Sequence, residues 1–139
     1  MTDPGSRSPD CAQVTVDLAA LGRNYETMRD KSGMAEAASV IKADAYGLGM
    51  TQIVPKLLAM GCQSFFVAQE KEGYAARDLA PKADIYVLNG LPAGAARNFA
   101  EAGLRPCLIS LEQIAEWQAY CRAHGAHPAC VFVDTGFNR

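Results

Sequence analysis

The sequence predicts an α/β fold of alternating βα units with parallel strands, and three observations lead there. Five short apolar runs alternate with four Ala/Leu-rich segments of helical period, at about 20–27 residues per unit. The apolar runs are continuous rather than alternating, as in strands covered on both faces of a parallel sheet. Strict strand–helix alternation is what right-handed crossovers produce. Two architectures then compete. A doubly wound sheet would be complete in 139 residues. A (β/α)₈ TIM barrel takes about 250, so this chain would be a partial barrel with about five of eight strands.

The elements follow in order. Residues 1–12, with Pro4, Gly5, Ser6, Ser8 and Pro9, read as a flexible tail ahead of one domain over 13–139. Gln13–Val16 is a short β-prone run. Asp17 stands where an N-cap belongs, ahead of a helix from Leu18 to about Lys31 that stops near Gly33. Strands are expected at 37–42, 64–68, 84–88, 105–109 and 129–133, with helices at 51–60, 70–80, 93–102 and 111–124. Three helices end at Gly61, Gly103 and Gly125, where a left-handed stop is tolerated. Ser110 and Gln113 fit a capping box. Pro55 fits its helix only in the first turn.

Thirteen basic against 15 acidic residues, net −2, give no footprint for nucleic acid or an anionic membrane. No apolar run approaches the roughly 20 residues of a spanning helix. The opening MTDPGSRSPD lacks the apolar region of a secretory signal. Cysteines at 11, 62, 107, 121 and 130 are odd in number and form no C-x-x-C, which reads as reduced thiols in a cytoplasmic protein.

The chemistry concentrates in Ser39–Gly49 (SVIKADAYGLG). Lys42 ends a buried strand, Tyr46 follows four residues later, and Gly47 and Gly49 close the segment. Ligands of parallel α/β folds gather at that end of the strands. A desolvated lysine is pushed toward its neutral amine, the form that condenses with an aldehyde. The Tyr46 hydroxyl and the amides around Gly47 and Gly49 could receive a phosphate. The plain alternative is a lysine that snorkels to solvent beside a glycine-rich turn.

VIKADAYGLG closely resembles the pyridoxal-phosphate attachment motif of alanine racemases, K-A-[ND]-A-Y-G-H-G, with Leu48 at the usual histidine. Val14–Leu21 with Asn24 resembles that family's opening strand and first helix, and Gly61–Glu70 (GCQSFFVAQE) its second barrel strand. Asp134–Arg139 (DTGFNR) resembles the D-T-G-M-[NG]-R segment after its fifth strand. The likeness spans about Val14 to Arg139, with both motifs in family order and at family separation.

The resemblance implies the amino-terminal part of a partial TIM barrel, with the remaining strands and a β-rich second domain not in this chain. It implies an isomerase that interconverts L- and D-alanine and supplies D-alanine for cell-wall peptidoglycan, acting as a cytoplasmic homodimer with no nucleic-acid or membrane partner. Lys42 would hold pyridoxal 5'-phosphate as an internal aldimine and act as one acid/base group. Tyr46 would contact the phosphate, Leu88 would pack beside the pyridine ring, and Arg139 would meet both cofactor and substrate carboxylate. This chain alone would then not racemise efficiently, because a two-base mechanism needs a second group. A broad-specificity or serine racemase of the same fold, or a non-catalytic pyridoxal-phosphate-binding barrel, are the alternatives. The chain also departs from the family. Phe132 stands seven residues before Arg139, where many members carry a carbamylated lysine that fixes the arginine, leaving Asn138 as the nearby polar group.

Cys121, His124, His127 and Cys130 recur every third residue and are zinc-ligand types, but they straddle a helix end and a strand start, so no metal site is assigned. Trp117 and Tyr120 read as packing residues. An open five-strand sheet would bare the face that lines a barrel, roughly 400 Å² or more, on the order of 10 kcal/mol if wholly apolar. Self-association over that face is the expected consequence.

Overall fold

The computed structural model describes residues 14–137. The elements are α1 (Leu18–Ser32), β1 (Ser39–Val40), α2 (Lys42–Tyr46), α3 (Met50–Ala59), β2 (Ser64–Val67), α4 (Glu70–Leu79), β3 (Asp84–Val87), α5 (Ala96–Glu101), β4 (Leu104–Leu108), α6 (Leu111–His124) and β5 (Cys130–Val131). The strands form one parallel sheet in the order β1-β2-β3-β4-β5. A doubly wound sheet reverses direction at a switch point. This one never does, so the order selects the barrel-type arrangement between the two architectures.

Two register rows fix the faces. Ser39, Phe65, Ile85 and Leu104 are successive partners, and the last three are buried against the helices. Val40, Phe66, Tyr86 and Arg105 form the adjacent row and point the other way. The core lies on the first side, where Ile53, Val54 and Leu57 of α3, Ala76 of α4, Phe99 of α5 and Trp117 of α6 meet the sheet.

The opposite face is not the bare apolar surface expected. The Phe66 and Tyr86 rings stack at 4.7 Å, and the Arg105 guanidinium lies 5.4 Å from the Tyr86 ring centre. Arg105 also donates to Tyr86 Oη at 2.9 Å and pairs with Asp84. Half of that row is therefore polar or charged, and the figure of about 10 kcal/mol overstates its hydrophobic cost.

Local signals explain most boundaries. Asp17 caps α1 by accepting from Ala19 N–H at 2.8 Å and Ala20 N–H at 2.9 Å, and Gly33 closes it with φ +62°. Ser110 caps α6 by accepting from Gln113 N–H, but Gln113 returns its oxygen to Ile109 N–H rather than to Ser110, so only half the expected box forms. Pro55 lies in the interior of α3, not in its first turn. It is exposed, so the carbonyl deprived of its partner can be hydrated. The run Val14–Val16 forms no strand, because no described strand lies beside it to complete a ladder. β1, β5 and α5 are shorter than expected. The tail over 1–12 and Gln13 lie outside the described residues. No described helix is long and apolar enough to cross a membrane.

Candidate functional site

Lys42 follows the carboxyl end of β1, as the sequence led one to expect, but it opens a helical turn rather than a loop. Ala43, Asp44 and Ala45 have φ of +51° to +54° and ψ of 48° to 52°, and Tyr46 has φ +57°. Four consecutive non-glycine residues are thus left-handed, at a local cost on the order of 1–2 kcal/mol each. Gly47 closes the turn in the same region at φ +80°.

Hydrogen bonds hold this turn in place. Ala45 N–H donates to Ile41 O at 2.9 Å, Gly47 N–H to Ala43 O at 2.8 Å, Leu48 N–H to Ala45 O at 3.1 Å and Gly49 N–H to Asp44 O at 2.9 Å. These bonds correct one expectation. The amides of Gly47 and Gly49 are used inside the turn and are not directed at an anion. Two carboxylates then tie the turn to its neighbours. Asp44 Oδ1 accepts from Met50 N–H at 2.7 Å, and Glu72 Oε1 accepts from Ala43 N–H at 2.9 Å.

Glu72 is a residue that sequence reasoning missed. Its second oxygen accepts from Ala68 N–H at 2.8 Å and Gln69 N–H at 3.0 Å. Burial by itself would raise its pKa. The N–H groups of Ala43, Gln69 and Ala68, with the nearby Lys71 charge, outweigh burial and hold the carboxyl below the ordinary glutamate value. The available signal was its place three residues after Gln69, at the start of a helix.

Lys42 is half-buried, and its Nζ lies 5.9 Å from the centre of the Tyr46 ring. Tyr46 is 62% exposed, so the residue is open to solvent. Leu88 follows the carboxyl end of β3, is half-buried, and donates its N–H to Val67 O at 2.9 Å. The structure thus brings Lys42 and Tyr46 together and puts Leu88 at the same end of the sheet. Leu48, at the family's usual histidine, lines with Tyr46 a cavity of about 380 Å³ between α1 and the β1–α2 segment. Phe132, at the position of the family's lysine, donates its N–H to Leu108 O at 2.9 Å and has no group that could carry a carbamate. Asn138 and Arg139 lie outside the described residues.

This donor set fits a cofactor that presents both an aldehyde and an anion. The amine stands at the carboxyl end of a strand, a phenol lies beside it, and an aliphatic side chain flanks the same end of the sheet. The second cluster is different in kind. His124 and His127 lie against the Tyr120 ring at 4.5 and 5.7 Å, and the buried Trp117 donates its indole N–H to His127 O. Among the described residues, no three His, Cys, Asp or Glu side chains converge to hold a metal. Trp117 and Tyr120 stack at 6.2 Å and serve the core.

Comparison with known proteins adds the following. The family model for the alanine racemase N-terminal domain matches residues 16–139. An alanine racemase of Methylobacterium sp. (strain 4-46) is 49% identical over 133 residues, covering 95% of this chain and 36% of the relative. A biosynthetic alanine racemase of Agrobacterium fabrum is 44% identical over 138 residues, covering 99% of this chain and 35% of the relative. The chain therefore spans about a third of the length of these relatives. Among solved structures, alanine racemase from Bartonella henselae with covalently bound pyridoxal phosphate superposes with a TM-score of 0.86 at 37% identity, covering 89% of this chain and 37% of that one. Histidine racemase from Leuconostoc mesenteroides superposes with a TM-score of 0.77 at 27% identity, covering 88% of this chain and 33% of that one.

Proposed function

The chain belongs to the alanine racemase N-terminal domain family, and on that premise we propose that it is the cofactor-bearing part of a pyridoxal-phosphate-dependent racemase that interconverts L- and D-alanine. One observation carries the proposal: an amine and a phenol, Lys42 and Tyr46, share one constrained turn at the carboxyl end of β1. Lys42 is the covalent attachment point, and Tyr46 donates its hydroxyl to the phosphate. Leu88 would pack against the ring, and the resemblance gives Arg139, which lies outside the described residues, the role of meeting the cofactor and the substrate carboxylate. Pyridoxal phosphate, when bound, supplies an electron sink that lets the Cα–H bond ionise. Lys42, once free of the cofactor, takes or returns the proton on one face of Cα. The product is expected to serve cell-wall synthesis, and the enzyme to act as a cytoplasmic homodimer; the Agrobacterium fabrum relative, named biosynthetic, supports the biosynthetic role alone.

A second reading keeps the chemistry and changes the amino acid. The histidine racemase with the same fold supports it, since a shared barrel serves a different side chain there. The test is D-alanine formation from L-alanine by the full-length protein loaded with pyridoxal phosphate. Turnover that vanishes in Lys42→Ala supports the proposal. Turnover that survives Lys42→Ala contradicts the site, and a strong preference for another amino acid contradicts the substrate.

A further inference from the structure

Glu72 sits in the first turn of α4, 29 residues beyond Ala43, yet its carboxylate bonds that residue directly. Ala43 is the first of the four left-handed residues and the immediate neighbour of Lys42. Local chain preference opposes this conformation, so it persists because tertiary bonds over-determine it. Asp44 fixes the far end of the turn to α3. Glu72 fixes the near end, where the lysine leaves the sheet, and its other oxygen takes the Ala68 and Gln69 N–H groups just past β2. One carboxylate therefore ties the lysine's turn to the neighbouring strand.

Resting on the reading in which Lys42 carries the cofactor, we propose that Glu72 is a positioning residue, whose bond to Ala43 N–H holds the Lys42 backbone at the angle from which its amine meets a pyridoxal-phosphate aldehyde. It touches neither substrate nor cofactor and acts through the turn. A carboxylate suits the task because it is all acceptor and meets three N–H donors at once. A glutamine amide of the same length offers one acceptor and turns its own N–H groups toward a donor.

The experiment compares the full chain with Glu72→Gln by two readouts. The first is amide hydrogen exchange, read at Ala43 and across β2 and β3. The second is reductive labelling with pyridoxal phosphate and borohydride, mapped over Lys31, Lys42, Lys56, Lys71 and Lys82. The expected result in Glu72→Gln is exchange at Ala43 faster by about tenfold or more, with Lys42's share of the label falling toward that of the other lysines. Exchange in β2 and β3 stays unchanged, a pattern that general destabilisation would not give. Unchanged exchange at Ala43 together with an unchanged Lys42 share would overturn the proposal. Should Glu72→Gln not fold, Glu72→Asp makes the same comparison, since its shorter reach keeps the Gln69 bond and releases Ala43. If the wild-type chain shows no preference for Lys42, the cofactor reading fails. The exchange at Ala43 then still decides whether Glu72 holds the turn.

Discussion

Asp44 Oδ1 accepts the backbone N–H of Met50 at 2.7 Å, so the turn that carries the candidate lysine also caps α3. The residue at the N-cap position, Gly49, has no side chain to do this. Losing the acceptor in Asp44→Ala should cost about 1 kcal/mol, the usual worth of an N-cap. Asp44→Asn should retain most of the stability, because asparagine both caps helices and tolerates the left-handed region that Asp44 occupies at φ +52°. Urea unfolding of the two variants checks the ordering.

Arg77 is held by a cluster of backbone carbonyls. Its guanidinium donates to Ala80, Pro81 and Ala83 at 3.2, 3.1 and 2.8 Å, and to Ala102 and Gly103 at 3.1 and 2.7 Å. These bonds join the α4–β3 and α5–β4 connections at the end of the sheet away from the site. Arg77→Met should cost about 3 kcal/mol, since several carbonyls lose a charged donor together. Arg77→Lys should fall between, having a compact ammonium in place of a planar fork. Neither should alter labelling at Lys42 under folding conditions, which separates this staple from the site.

Tyr25 gives an alkaline signature. Burial, reinforced by the neighbouring Cys62, pushes its hydroxyl up to about 12, and that hydroxyl donates to Ala37 O at 2.9 Å. The folded state therefore keeps the proton longer than the unfolded chain. The resulting stability is fully present below pH 10.0 and is lost as pH rises from there to about 12. Tyr25→Phe should be less stable at neutral pH by about 1 kcal/mol. The gap between the two proteins should narrow above pH 10.0, measured by denaturant unfolding on either side of that value.

The βα alternation was legible because strand runs such as FFVA and IYVL are apolar without a polar interruption and are bounded by turn residues. Lys42 and Tyr46 of the candidate site were singled out by type and by their place after an expected strand. The left-handed turn between them was not. Ala-Asp-Ala-Tyr has no glycine, and its propensity runs against the conformation it takes. What imposes that conformation lies partly at Glu72, a contact no local pattern displays. The same limit hid the polar character of the open face. Asp84, Tyr86 and Arg105 belong to two strands and become one interacting group only once the register is known. Val14–Val16 shows the converse error, since β propensity without a partner strand gives no strand.

Covalent labelling decides whether Lys42 is the amine that pyridoxal phosphate selects. The full chain is incubated with pyridoxal phosphate, reduced with borohydride, weighed intact and peptide-mapped. The expected result is a single pyridoxyl adduct on Lys42, weakened in Tyr46→Phe by loss of the phosphate's hydroxyl partner and abolished in Lys42→Ala. Label spread evenly over Lys31, Lys56, Lys71 and Lys82, or a single adduct on any of these, would contradict it.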